Sequence, residues 1–466
     1  MPSNFDIISP LDGRYQAITR ELAKITSEKA LMHNRIIVEI AWLESLSENP
    51  NIACPKINQA TKIAFSALKK ELTNSQAESI KAIEKTTLHD VKACEYFLRT
   101  IVAEHGNSDL IPWIHFACTS EDINNAAYAM MLEQLRASLI VKQLINLSST
   151  IEKIATTHKE EVMLAFTHGQ AASPTTFGKE MAVFSHRLNP IIRKIGKFKF
   201  SAKFNGAVGN HNAHFSAYPD LDWPLICQEM LKKLGLEYNE LSTQISNHDN
   251  LVSFLSLHKQ AMMIIQDLCQ DLWLYAHKDY IKLKKASADQ VGSSTMPHKI
   301  NPINFENAEG NIGMYKAICN QLTDKLPISR LQRDLSDSTT LRNIGTCFAY
   351  ADVAISACLK GLEQISTNRQ VLEHELSQHW EVLTEAVQTI MRKHGHQDAY
   401  EQLKAASQGS KMSESDFKSM LKKLAVDDKT QAELAALNPS TYIGRAIAAT
   451  DLALSTALLK KLILDK

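Results

Sequence analysis

Glycine and proline are scarce in this 466-residue chain, with sixteen and thirteen copies, well under an ordinary usage of about 7% and 5%. That leaves little material for the closely spaced turns of a β sandwich or barrel, and it predicts an all-α fold. Charge of one sign is not in excess either. Lys plus Arg and Asp plus Glu are both 51, so no net field draws the chain to nucleic acid or an anionic membrane, and an anionic ligand must be met by local clusters. Long apolar runs are missing; stretches such as Ala261 to Ile265 are far too short to cross a bilayer. The eight cysteines, at 54, 94, 118, 227, 269, 319, 347 and 358, form no C-x-x-C pair and sit mostly in apolar helical text, which reads as reduced core thiols. The opening MPSNFDIISPLDGRY has no basic region followed by an apolar one, so the expectation is a soluble, cytoplasmic protein.

What is present is helix. From Glu21 to about Leu98 apolar residues such as Ile36, Ile40 and Leu43 recur at three and four, punctuated by Pro50 and Pro55. After HGNSDLIP (105–112), long helices are predicted over roughly Asn124 to Lys159, Ser173 to Phe200 and Asn250 to Lys285. In the last, Leu251, Leu255, Met262, Ile265, Leu272 and Ala276 mark one seam, while Phe254, Met263, Ile264 and Leu268 make other sides apolar too. A helix apolar nearly all round needs several neighbours, which is easiest if subunits pair such helices in a common core. The expected organisation is an N-terminal helical domain (1–112), a central long-helix bundle (113–364) and a smaller C-terminal helical domain (365–466). Ser413 or Ser415 is expected to cap a helix in the last.

Four segments break the helical grammar: TTLHD (86–90), CTSED (118–122), THGQ (167–170) and GSSTMPHKINP (292–302). Each has a bland reading. Thr87 with Asp90, and Thr119 with Asp122, also match a capping box. His168 also reads as a helix-start histidine, and the last segment as a solvated connector. Yet no glycine occurs between Gly235 and Gly292, so backbone freedom is concentrated where two serines, a lysine and an asparagine are gathered. There is no P-loop, no G-x-G-x-x-G, no H-E-x-x-H and no G-x-S-x-G. The histidines are read as unpaired at metal-ligand spacing.

The string GSSTMPHKINP resembles the signature loop of the fumarase/aspartase superfamily. TSEDINN (119–125), THGQ, GAVGNHNAH (206–214), RDLSDSTTLRN (333–343) and NPSTYIGRA (438–446) follow in the family's order. They are most similar to the bacterial branch acting on adenylosuccinate, and the likeness runs from Asp12 to Ala446. It implies a mostly helical three-domain subunit, a homotetramer with active sites shared between subunits, and no metal or organic cofactor. The implied reaction is anti β-elimination of fumarate from adenylosuccinate, giving AMP, and from the succinyl-carboxamide ribotide of purine synthesis.

Such an elimination needs a base on one face of the substrate and an acid on the other, supplied by different segments. By resemblance Ser293 is the base and His168 the acid; spacing alone does not separate Ser293 from Ser294. An imidazole, with an ordinary pKa of about 6.5, can hold a proton near neutrality and give it to the purine amine. A serine needs its alkoxide stabilised, by loop N–H groups and Lys299. Thr119, Ser120, Lys299 and Asn301 suit the dianionic intermediate, Asn307 lies close by in the chain, Ser294 is a further substrate-binding candidate, and His89 with Asp90 suits the orientation of substrate. With no P-loop, the phosphate falls to Arg14, Tyr15, Arg333, Ser338 and Arg342, with Thr339, Thr340 and Leu341 in the same string. Gln244 matches a glutamine that contacts substrate. Arg333 and Arg342 also read as solvated helix charges. Two departures from the family pattern are Ala171, where a proline is usual, and Leu88, where a polar residue is. The competing readings are another lyase of the superfamily, such as one acting on argininosuccinate, or a helical scaffold without activity.

Overall fold

A computed structural model describes residues 6–284, 296, 298–407, 409 and 411–457. Ser293 and Ser294, with Gly292, Thr295 and Pro297 of the 292–302 loop, lie outside the described residues. Helix dominates as the low glycine and proline content predicts, and the strands that are described pair only as three two-stranded ribbons. The chain divides into two compact units. One holds Met1–Gln143, Lys194–Met262 and Gly310–Ala354; the other holds Leu144–Arg193, Met263–Glu309 and Ile355–Lys466.

In the first unit the helix Glu28–Glu48 packs on the helix Ser120–Leu135. Ser27 caps the former by accepting from the Ala30 N–H. The buried face of Glu28–Glu48 carries Ile36, Val38, Ile40, Trp42 and Leu43, but also Arg35 and Glu39, four residues apart and both buried. Two charges so placed require partners. Arg35 finds Asn124 and Asp90, and Glu39 accepts from or shares a proton with His115 at 2.6 Å. Ser120–Leu135 continues through a π turn at Arg136–Ile140 into Val141–Thr157, close to the long helix predicted there.

In the second unit two predicted helices are shorter than expected. The helix expected from Ser173 begins at Phe177, because Gln170–Thr176 (β2) pairs antiparallel with Val162–Thr167 (β1). The helix expected to reach Lys285 ends at His277. The chain then pairs Ile281–Leu283 with Ile365–Thr367. The β1–β2 hairpin is seated by Leu164, which packs with Leu376 and Val382, and by Val162, Phe166 and Ala171 beside them. Ala171 is thus a strand residue on that apolar face. The C-terminal helices enclose a core of Trp380, Leu383, Val387, Met391, Leu403, Phe417, Leu421 and Leu434. Ser413 caps the helix Glu414–Leu421 in a capping box with Asp416.

Candidate active site

In the first unit, two helix N-termini and one short helix converge on a polar chain. His89 is the N-cap of Asp90–Glu104 and accepts from the Lys92 N–H through Nδ1 at 3.2 Å. The capping box expected of Thr87 is therefore absent; Thr87 ends the preceding helix, with Leu88 left-handed at φ 52° as its C-cap. His89 Nε2 lies 3.5 Å from the Ser120 hydroxyl, at the start of Ser120–Leu135. Both helices aim N–H groups at this place, a setting that favours anions.

The capping reading of Thr119 and Asp122 holds, and Asp122 does more. Its carboxylate accepts from the Thr119 N–H at 2.8 Å and from the Asn205 and Gly206 N–H groups. It also pairs with the Lys203 ammonium at 2.7 Å, both side chains fully buried. Such a pair stands only when its remaining hydrogen-bonding capacity is filled; Lys203 also donates to the Gly206 carbonyl. The GAVGNHNAH loop is held in this way. At Gly209, with φ +84°, a Cβ would lie 2.2 Å from the Ser242 carbonyl oxygen, so only glycine fits there.

From these anchors a continuous hydrogen-bonded chain runs across the unit. Arg342 donates to Asp90 at 2.9 Å, and Arg35 donates to the same carboxylate oxygen at 2.9 Å. Arg35 also donates to Asn124 Oδ1 at 2.7 and 3.0 Å, and Asn124 donates to Glu121 at 3.0 Å. Arg333 donates to that Glu121 oxygen at 3.0 Å and to Gln244 Oε1 at 3.2 Å, and Gln244 donates to the Ala207 carbonyl at 3.0 Å. Burial pushes the Asp90 carboxyl up, but the Arg35 charge and the bonds from Arg342 and Arg35 outweigh it, and the group sits at about 2. The two arginines are therefore not simple solvated charges. Arg333 is largely buried, while Arg342 keeps half its side chain exposed, leaving guanidinium N–H groups for an incoming anion.

The structure thus brings together His89, Asp90, Ser120, Gln244, Arg333 and Arg342. Ser338, Thr339, Thr340 and Leu341 lie on the helix Ser336–Leu341 just before Arg342. The Thr340 hydroxyl donates to the Ser336 carbonyl. Leu341 is buried, lining a cavity of about 40 Å³ with Glu121, Tyr128 and His248. Tyr15 is half-buried before the helix Gln16–Thr26, and Arg14 is exposed beside it. Sequence reasoning missed Arg35, Glu121 and Asn124, and also His248 with Asp337, whose Nε2 and Oδ2 lie 3.8 Å apart.

The second unit carries the remaining candidates. His168 is not at a helix start. It and Gly169 form the two-residue turn between β1 and β2, Thr167 facing Gln170. Both have positive φ, 54° and 74°, as a tight hairpin of this kind requires. A histidine held left-handed is uncommon and costs about 1–3 kcal/mol; here it puts an exposed imidazole at the tip of a seated hairpin. Lys299 is exposed, Asn301 half-buried, and Asn307 half-buried on the helix Ile303–Lys325.

One grouping reverses an expectation. His211, His214 and Cys227 are all buried, and one ligand atom from each lies within 4.8 Å of the others. The histidines are therefore paired at a spacing of three, and the cysteine that completes the trio comes from the helix Trp223–Lys233.

Helical architecture and these segments together define a lyase: the family model described as "Lyase" matches residues 13–314, and that described as "Adenylosuccinate lyase C-terminal" matches residues 329–443. The adenylosuccinate lyase of Legionella pneumophila (strain Corby) is 44% identical over 94% of this chain and 96% of its own length. That of Vibrio cholerae is 42% identical over 95% and 98%, and that of Escherichia coli (strain K12) 41% over 96% and 99%. The chain belongs to the adenylosuccinate lyase family. Its fold is shared by a fumarate lyase from Mesorhizobium sp. BNC1, with a TM-score of 0.73 at 15% identity over 94% of this chain and 97% of that one. The 3-carboxy-cis,cis-muconate lactonizing enzyme of Pseudomonas putida has a TM-score of 0.72 at 19% identity over the same shares.

Proposed function

We propose that this chain is an enzyme that cleaves the C–N bond of adenylosuccinate by anti β-elimination, releasing fumarate and AMP, and does the same to the succinyl-carboxamide ribotide of purine biosynthesis. Family membership over nearly the whole chain supports the reaction. The observation that carries the substrate is the polar chain from Arg342 through Asp90, Arg35, Asn124, Glu121 and Arg333 to Gln244. A succinylated nucleotide presents a phosphate and two carboxylates. Preorganised arginines and helix N-termini are the groups that meet such charges when no P-loop is present.

His168 is the proton donor to the departing amine and Ser293 the base. Lys299, Asn301, Thr119 and Ser120 favour the charge that develops on the carboxylate, which lowers the barrier more than it tightens binding. His89 with Asp90 orients the substrate. Arg14, Tyr15, Arg333, Ser338, Thr339, Thr340 and Arg342 form the phosphate side, with Gln244, Ser294, Leu341 and Asn307 completing the contacts. The chain works in the cytoplasm as a homotetramer with shared active sites, built from the N-terminal, central and C-terminal helical domains of the sequence reading. Met263, Trp273 and Leu274 on the helix Asp249–His277, each more than a third exposed, supply apolar surface that assembly would cover. Among the described residues no helix is long and apolar enough to cross a membrane.

The test follows ultraviolet absorbance on adenylosuccinate for wild type, Ser293→Ala and His168→Ala, with argininosuccinate, aspartate and malate as competing substrates. Turnover of adenylosuccinate that collapses in both variants is expected. Equal traces for the three proteins would remove the mechanism, and fumarate from a competing substrate alone would remove the assignment.

A further inference from the structure

Three potential ligand side chains in the first unit take no part in the polar chain above. His211 is left-handed at φ 54° and precedes the short helix Asn212–Ala217. His214, one turn later, is wholly buried, its ring edge-on to Trp223 at 4.9 Å and to Trp42 at 5.9 Å. Cys227, also wholly buried, faces them from the helix Trp223–Lys233. Buried polar atoms are ordinarily hydrogen-bonded. Here His211 Nδ1 and both ring nitrogens of His214 are buried with no hydrogen-bond partner. By contrast His211 Nε2 lies 3.1 Å from the Tyr238 hydroxyl. That is the arrangement of a metal-bound imidazole, one nitrogen fixed by an outer partner so that the other offers its lone pair.

We propose that His211, His214 and Cys227 form a structural site for a thiophilic closed-shell cation, Zn²⁺ or Cu⁺, with Tyr238 orienting His211. The ligand atoms already lie within 4.8 Å of one another. Bonds of about 2.0–2.1 Å to nitrogen and 2.3 Å to sulfur need only a modest contraction of that triangle. Two imidazoles and a thiolate suit Zn²⁺ and Cu⁺ and disfavour Mg²⁺ and Ca²⁺, which seek oxygen. Binding displaces the thiol proton to solvent as the sulfur–metal bond forms, so affinity falls with acidity. The ion would tie the loop containing Gly206 and Gly209 to the helix Trp223–Lys233, a role distinct from the elimination chemistry.

The test uses the full-length protein stripped with chelator. Zn²⁺ alone is titrated against a competing dye, Cu⁺ under reductant against a competing chelator, and Co²⁺ as a spectroscopic stand-in for zinc. The expected result is one ion per chain in the Zn²⁺ or the Cu⁺ arm, a raised melting temperature with that ion, and a thiolate-to-cobalt charge-transfer band lost in Cys227→Ser. Tyr238→Phe, which keeps all three ligands, should weaken affinity about 10–100-fold. If Cys227→Ser fails to fold, X-ray absorption on the loaded wild type decides: a shell with one sulfur supports the site and one of nitrogen and oxygen alone overturns it. No stoichiometric binding of either ion, or a charge-transfer band undiminished in both Cys227→Ser and His214→Gln, also overturns it.

Discussion

The two units present their candidate functional side chains in opposite ways. In the first, Arg333, Gln244, Asp90 and Arg342 are bonded to one another through Arg35, Asn124 and Glu121 before any substrate arrives. In the second, His168 stands exposed on a two-residue turn whose backbone, not its side-chain contacts, sets its position. Groups that bind charge gain from being fixed in advance, since their cost of ordering is met in folding. A proton donor needs the opposite freedom, to approach a leaving group and to exchange with solvent.

The contrast breaks most visibly at the chemistry. His168→Ala should lower kcat about 10²–10⁴-fold, with the melting temperature little changed because the ring is exposed. Steady-state kinetics beside a thermal melt check both halves. A loss of folding with the loss of rate would mean that the hairpin tip is structural. Next, Arg333→Ala removes charged hydrogen bonds and leaves Glu121 buried without its cation. It should reduce kcat/KM about 10–100-fold, mostly through KM, and lower stability as well, unlike His168→Ala.

Asp90→Asn sharpens the electrostatic side. Because the folded carboxyl sits at about 2, below its ordinary 3.8, its contribution is complete above about pH 4 and is lost as pH falls toward 2. The variant should be less stable than wild type by about 2 kcal/mol near neutrality, and the gap should close over that acid window. Urea melts at pH 7 and pH 3 measure it, and a gap independent of pH would show that geometry and not charge matters. Smallest is Leu88→Gly. The left-handed C-cap is 88% exposed, so glycine should stabilise by about 1 kcal/mol or less. A melting curve would detect the sign.

How much of this was legible follows from the residues themselves. Asp90, Gln244, Arg333 and Arg342 stand in polar strings that break helical periodicity, so the sequence pointed to them. Arg35 hides inside ALMHNRIIVEIAWL, where one arginine looks like a solvated face. The signal was its pairing with Glu39 four residues on, two charges within an otherwise apolar stretch. Glu121 and Asn124 lay in a recognised string, but only folding shows them as links between arginines. The hairpin was missed because His168–Gly169 is not one of the commonest turn pairs and Pro174 suggested a helix start. The run VMLAF before it, apolar and too short for a helix, was the available clue. His211, His214 and Cys227 escaped because the third ligand comes from a different helix. The long helices fell within a few residues of expectation wherever no strand pairing intervened.

Asp122 has a consequence in time. Its partners Lys203, Asn205 and Gly206 lie some eighty residues further along, the Asn205 bond spanning 83. At about 5–20 residues/s, a ribosome needs roughly 4–16 s to make that stretch. Through that interval the carboxylate can cap its own helix but has no cation to offset its burial, so the helix N-terminus bearing Thr119 and Ser120 cannot be buried in its final form. The end of the first unit that carries the proposed substrate contacts is therefore a late product of synthesis, set only when a lysine from beyond the hairpin arrives.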